Sequence, residues 1–453
     1  MPWSIQASRA RLAESRAPEH PRRYRRGEDT TCATRAFPTR GVRGRSQSGA
    51  KALARVYGEG LRRGAAGLAV GCLLLACDLG PRSARGDAER GPLSETSRRA
   101  DAAERSGVAA ETPSPSARLD SGSGAEPELR TFRRKLMGTY FRIVVPEPAS
   151  AETEAAVEAA FDVMARIETR LSEWIPDSEI SQINRGSGSG KWFEVHPDTL
   201  ANLRLGTRIS ELSAGAFDLT WAALRGLYTF DDTRNEAPSP EAIAKRLPRI
   251  DYRALEVDVA GSRARLTRPD MVIGTGGITK GYALDEAGRL LRERGVRDFM
   301  LDAGGQVHLS GLRGGRSWRF AVRHPRKAEP LALIEASDVA VATSGDYEHY
   351  FMDSEGRRWH HIIDPRTGYP ARASASVTVL SENGMAADAL ATTLFIVGPE
   401  AGQALLNQLD YAVEAVWITA NGHIIETRGL HGKVAYRDAD VASDPLRIKG
   451  MTP

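Results

Sequence analysis

The sequence predicts an α/β (α+β) unit, mixed sheets flanked by helices, over residues 129–440, preceded by a disordered N-terminal tail. Three observations carry this. β-Branched runs alternate along the chain with segments of helical periodicity. Asn421-Gly422 lies between two apolar runs, a strong hairpin signal. The 453 residues are 41% hydrophobic and 26% charged with a mean hydropathy of −0.36, which excludes a multi-span membrane protein, a collagen and a chain disordered throughout.

The elements follow in order. Tyr140–Val145 alternates and is β-branched, so it reads as a strand. Val157, Phe161, Met164, Ile167 and Leu171 recur at three- and four-residue spacing and give one apolar helix face. Asp198 is expected to cap a second helix through Leu203, Ile209 and Leu212, stopped at Gly215. A third runs from near Lys280 to Arg294 and ends at Gly295. Phe299–Leu301 and Ser376–Leu380 read as strands, and 387–397 and 399–409 as helices. The runs 415–419 and 423–427 flank the Asn-Gly turn. No internal repeat of fixed period is present.

The N-terminal region reads as an address. Residues 1–54 form an Arg-rich tail, either an over-called start or an extended n-region. Residues 55–77 read as a lipoprotein signal: Arg62 and Arg63 precede an apolar run, Gly64–Ala76, too short to span a bilayer. It closes on Leu74-Leu-Ala-Cys77, which resembles a lipobox, so Cys77 is the expected lipidation site. Residues 78–128, rich in Ser, Gly, Ala, Pro, Arg and Glu, read as a flexible linker. Residues 441–453 are a C-terminal tail. All three cysteines precede the folded region, so no disulfide framework is expected there. Residues 1–63 hold 15 Lys/Arg against 5 Asp/Glu, so the basic pI of 9.0 belongs to the tail and the rest of the chain is net acidic. No basic face for nucleic acid is expected.

Several short segments carry polar chemistry. Gly274-Thr-Gly-Gly-Ile-Thr-Lys-Gly281 joins an apparent strand to a helix; it is either a bare turn or a pyrophosphate cradle, with Lys280 adding charge. Asp388 and Thr392, four residues apart, share a helical face and suit a hard cation such as Mg²⁺, or form a capped helix start. His360 and His361 precede a Pro/Gly turn. With His349 they lack a convincing zinc ligand set, so one is a base or satisfies a core hydrogen bond.

The order of these segments is more specific than any one of them. Met137-Gly-Thr139, Ser178-Glu-Ile-Ser-x-Ile-Asn184, Gly215-x-Phe-Asp-x-Thr220, Gly276-Gly-Ile-x-Lys-Gly-Tyr-Ala283, Asp302-x-Gly-Gly305, Thr343-Ser-Gly-Asp-Tyr-Glu348, His361-Ile-Ile-Asp-Pro-x-Thr-Gly368 and Asp388-Ala-Leu-Ala-Thr392 follow one another. The series closely resembles the ApbE family of FAD:protein FMN transferases over residues ~130–430, essentially the whole folded region expected from length. The resemblance implies Mg²⁺-assisted transfer of FMN from FAD to a Thr or Ser hydroxyl of a partner flavoprotein, with AMP released. It implies cofactor contacts at Met137, Trp174, Ala216, Phe217, Asp218, Gly277, Lys280 and Ile362. It implies a metal site at Gly277, Asp388, Thr392 and Ala391, the last through its backbone oxygen, and His361 as the group that activates the acceptor. Many members are bacterial lipoproteins, which agrees with a lipid-anchored, periplasm-facing domain at the cell membrane. The family usually carries Asp where this chain has Gly274, so FAD binding is expected to be weaker and Gly274→Asp to tighten it. The alternatives are a lipoprotein that binds FAD without transferring it, or an FAD pyrophosphatase in which water replaces the acceptor.

Overall fold

The computed structural model describes residues 128–437, apart from 147 and 231–235, together with the short strand Asp444–Pro445. The expected signal segment, Cys77 and most of the linker lie outside the described residues.

Nine strands make one sheet whose spatial order is also chain order: Leu129–Leu136, Thr139–Pro146, Phe299–Asp302, Gln306–Ser310, Val339–Gly345, Ser374–Ser381, Val413–Thr419, Ile424–Glu426 and Asp444–Pro445. Every pairing is antiparallel except the last. Six α-helices accompany it: α1 (Ala151–Leu171), α2 (Glu179–Arg185), α3 (Pro197–Leu212), α4 (Pro240–Arg246), α5 (Thr279–Glu293) and α6 (Gly384–Leu406). The expected α+β architecture is the one observed.

The helix side of the sheet holds the larger core. Helix α1 buries Val157, Phe161, Met164, Ile167 and Leu171, the face that the spacing predicts. The opposite side of the sheet presents Val144, Leu309, Val341, Leu380 and Val416 to a small three-stranded sheet formed by Trp318–Arg323, Pro330–Ala336 and Val434–Tyr436. Covered on both faces, strand Ser374–Ser381 is buried at every position. Each large side chain taken from water there contributes about 1.5–3 kcal/mol.

Two details differ from expectation. Asp198 does not cap α3; the cap is His196, whose ring nitrogen accepts the Asp198 N–H. The Asp198 carboxylate instead binds Arg170 at 2.6 Å and the Tyr282 hydroxyl at 2.8 Å, tying α3 to α1 and α5. The two helices expected at 387–397 and 399–409 form one element, α6, broken at Gly398 (φ 78°) before Pro399, which cannot donate to the helix ladder. Helix α6 is long and apolar enough to cross a bilayer, yet most of it is core in this fold.

Helices α5 and α6 cross at glycines. A Cβ on Gly281 would run into the Gly384 carbonyl and come within 2.9 Å of Asp388 Cβ. That close approach brings the second turn of α6 under the start of α5.

A two-stranded ribbon, Tyr350–Met352 with Arg358–His360, stands beside the main sheet. Asp353 organises its turn: the carboxylate accepts the backbone N–H of Glu355 and Arg357, the Arg357 guanidinium at 2.7 Å and the Trp359 indole N–H at 2.9 Å. These bonds, the Trp359 one foremost, hold its carboxyl below the ordinary range.

Candidate functional site

A cavity of 870 Å³ opens where the glycine loop, the start of α6 and the segment after the ribbon meet. This is the size of a drug-like or cofactor site.

The glycine loop is held rigidly from behind. Asn184 on α2 makes a paired bond with Ile273, accepting its N–H at 2.7 Å and donating to its carbonyl at 3.0 Å. Gly274 N–H bonds Leu219 O at 2.8 Å, and the Thr275 hydroxyl bonds Leu171 O at 2.9 Å. Helix α5 then starts at Thr279 without a cap from the preceding side chain, and Gly276, Gly277 and Lys280 at this start line the cavity. A Cβ on Gly276 would meet nothing within 4 Å, so the loop leaves room for a ligand at its backbone. Lys280 reaches back to Gly276 O at 2.7 Å. Backbone N–H groups at a helix start with a lysine beside them form an anion cradle.

Asp388 lies under that cradle, 2% exposed. One oxygen accepts Gly281 N–H at 3.0 Å and the other accepts Gln306 Nε2–H at 3.0 Å; Lys280 Nζ is 4.0 Å away. Burial pushes its carboxyl above the usual range, against the opposing pull of Lys280 and the two hydrogen bonds. Thr392, one turn later, lines the same cavity with its hydroxyl 3.4 Å from Ser344 Oγ. A Cβ on Gly277 would be 3.7 Å from Thr392 Oγ1, so the loop and the helix face each other across one gap. Among the described residues no three His, Cys, Asp or Glu side chains converge. A cation must therefore rely on Asp388, the Thr392 hydroxyl, main-chain oxygen and ligand phosphates, a donor set that fits Mg²⁺. The unpartnered, buried Gln306 Oε1 is one more oxygen at this spot.

The two adjacent histidines part company. His360 is sealed in the core: Nε2 is 2.9 Å from Ala371 O, Nδ1 accepts Ile362 N–H, and the ring packs edge-on against Phe395. Those two bonds fix a neutral imidazole with its proton on Nε2. His361 lines the cavity, with its N–H on His349 O at 3.0 Å and its ring edge-on to His349. Its Nδ1 is buried without a partner. Burial first, then the nearby His349, drives its pKa down to about 4. A neutral imidazole open to a ligand is a proton acceptor.

Most of the remaining expected residues also reach the cavity. Met137 enters from a tight turn at φ 49°, with its N–H on Glu168 Oε1. Ala216, Phe217, Asp218 and Ile362 line it as well. The Asp218 carboxylate is committed to its own loop, accepting from the N–H and hydroxyl of Thr220 and from Tyr252 N–H. Two expected residues lie outside the lining. Trp174 is 72% exposed and does not line the cavity; its ring lies under the Arg225 guanidinium at 4.1 Å. Ala391 is fully buried within α6 and is not in the lining; the polar side chains of α6 that line the cavity here are Asp388 and Thr392.

The surroundings of Gly274 are crowded. A Cβ there would sit 2.8 Å from Ala222 Cβ and 3.0 Å from Trp221 Nε1, closer than side chains pack. No aspartate fits without moving the wall. The Glu173 carboxylate is behind the loop at 3.5 Å from Thr275 N and pairs with Arg225. Sequence reasoning passed over Trp221, Gln306 and His349 as site residues. Gln306 had a usable signal, since it directly follows the Gly304-Gly305 turn.

Known proteins resemble this chain in sequence and fold. The ApbE family model matches residues 137–417. A FAD:protein FMN transferase of Haemophilus influenzae is 27% identical over 320 residues, covering 68% of this chain and 92% of its own length. The Vibrio cholerae FAD:protein FMN transferase is 32% identical over 276 residues, covering 59% and 81%. Among solved structures, the ApbE protein of Thermotoga maritima superposes with a TM-score of 0.61 at 31% identity, covering 69% of this chain and all of that one. The flavin transferase ApbE from Vibrio cholerae gives 0.59 at 30%, covering 66% and 96%. By its ordered motifs, its fold and this match, the chain belongs to the ApbE family.

Proposed function

We infer that the chain is a FAD:protein FMN transferase, moving the FMN half of FAD onto a Thr or Ser hydroxyl of a partner flavoprotein. The observation that carries this reading is the meeting of three parts in one cavity: the glycine cradle with Lys280, the oxygen pair Asp388/Thr392, and the neutral imidazole of His361. The acceptor O–H attacks the FMN phosphorus, the P–O bond to AMP breaks, AMP leaves, and His361 takes the hydroxyl proton. The cradle and Lys280 hold the phosphates in line. Asp388, Thr392 and the main chain of Gly277 are the groups that would hold Mg²⁺, which when bound neutralises phosphate charge.

A polyanionic FAD beside His361 also raises its basicity above that of the empty site, because its negative charge favours the imidazolium. We further propose that Cys77 carries a lipid and that the domain faces the periplasm from the cell membrane, supported by the apolar run ending on that cysteine.

The test is incubation of the full chain with FAD, Mg²⁺ and a candidate acceptor, read by mass spectrometry. An acceptor heavier by FMN less one water supports transfer. Free FMN with AMP and no adduct supports the pyrophosphatase alternative, and intact bound FAD supports simple binding.

A further inference from the structure

Trp221 is a cavity-lining aromatic to which the transfer chemistry above gives no task. It is held at several points. Its backbone N–H bonds Asp218 O at 3.1 Å, its carbonyl accepts Leu224 N–H at 2.9 Å, and it bridges Val272 across the chain. Its indole N–H is used inward, on Gly274 O at 3.2 Å. The N–H being satisfied, what remains toward the cavity is apolar π-surface. Trp318 and Trp417 likewise give their indole N–H to a backbone carbonyl, but both are closed over at 2% and 0% exposure. Trp221 is left half-buried beside an open cavity.

The space beside the ring is exclusive. A Cβ on residue 274 would be 3.0 Å from Trp221 Nε1 and 3.2 Å from Cε2. The indole and a side chain at 274 cannot both keep their places, so the glycine is the condition for the tryptophan.

We propose that Trp221 is a substrate-positioning residue whose indole face stacks on one of the two flat rings of FAD, adenine or isoalloxazine. Electron-rich and electron-poor heteroaromatic rings both stack on indole, and the ring gives binding without a charge near the phosphates. This rests on the reading of the cavity as an FAD site. It assigns Gly274 a cause within this chain: the loop is built around an aromatic wall and not around a carboxylate.

The test measures Mg²⁺-dependent FAD binding to the full chain, wild type against Trp221→Phe and Trp221→Ala. AMP, FMN and inorganic pyrophosphate serve as competitors. Trp221→Ala is expected to weaken FAD about tenfold, the scale of one lost ring stack, while Trp221→Phe stays near wild type. Pyrophosphate, which has no ring, should compete equally well with all three forms. Whichever of AMP and FMN is weakened in Trp221→Ala identifies the stacked ring. Unchanged FAD affinity in Trp221→Ala overturns the proposal. So does a matching loss for pyrophosphate, which is the mark of a collapsed loop, or unchanged affinity for both AMP and FMN. A wild-type chain that binds no FAD overturns the transferase reading as well, whereas wild-type transfer with an indifferent Trp221→Ala overturns only this assignment.

Discussion

Asp388→Asn separates the function of the buried carboxylate from its cost to the fold. In the wild type the carboxylate accepts one hydrogen bond from Gly281 and one from Gln306. An asparagine oxygen can keep the first. Its NH₂ group cannot receive the Gln306 donor, but Gln306 carries an unpartnered Oε1 and needs only an amide flip to accept instead. Two charge-assisted bonds thus become two neutral ones, a loss of about 2 kcal/mol in all. The Lys280 ammonium, 4.0 Å away, loses its attraction as well. Against these stands the cost of an ionised group out of water, several kcal/mol after relaxation. The raised carboxyl pKa gives the sign of the sum: burial outweighs the bonds and the lysine.

The linkage follows from that sign. A folded pKa above the unfolded one means that the protonated carboxyl favours the fold below the unfolded pKa, and this advantage disappears as pH rises through the folded value. At neutral pH the wild type therefore carries a penalty that Asp388→Asn does not. The variant should melt no lower than wild type at pH 7 without Mg²⁺, and about 1 kcal/mol of gain would raise Tm by about 2 °C in a domain of this size. The gap should close in acid. FMN transfer should be lost throughout, because the carboxylate beside Thr392 and the cradle has become a neutral amide. Calorimetry across pH, together with transfer assays over a Mg²⁺ series, checks both arms. A clearly lower Tm at pH 7, or unchanged Mg²⁺-dependent transfer, would refute the reasoning.

The two histidines should fail differently. His361→Ala should lower kcat about 10²–10⁴-fold with FAD affinity nearly unchanged, whereas His360→Ala should chiefly lower Tm, which steady-state kinetics and melting curves distinguish. Because the His361 pKa is near 4 in the empty site and the neutral ring is the active form, kcat/KM should fall as pH drops through about 4 and should show no acid limb at the usual histidine value. Gly274→Asp should weaken FAD binding, the reverse of the expectation from the family pattern, since its Cβ already crowds Ala222 and Trp221; tighter binding in a titration would mean that the wall yields.

The sequence made repeated and local signals legible. The α1 face follows from spacing alone, and the Asn421-Gly422 turn does join paired strands, though with Ile418 opposite Ile424 around a three-residue loop. The order of motifs located Lys280, Asp388, Thr392 and His361, and all four reach the cavity. What stayed hidden depends on neighbours distant in the chain. Whether His196 or Asp198 caps α3 turns on Arg170 and Tyr282 competing for the carboxylate. Trp174 is drawn to Arg225, a pairing across some fifty positions that no local pattern reveals. The missing carboxylate at Gly274 looked like a loss because the indole filling its place is also some fifty positions away.

The ribbon beside the main sheet leads into the two adjacent imidazoles. Side chains along a strand alternate between faces, so His360 and the residue after it point apart, one into the core and one into the cavity. The assignment is a matter of phase. Asp353, by gripping both the turn backbone and the Trp359 indole, closes the far end of the ribbon. His360 keeps its face through its pairing with Tyr350 and its bonds to Ala371 O and Ile362 N–H, while the backbone N–H of the next histidine is tied to His349 O. A short turn thus anchors the ribbon that leads into both imidazoles, and mutational scans should find Asp353 its least replaceable position.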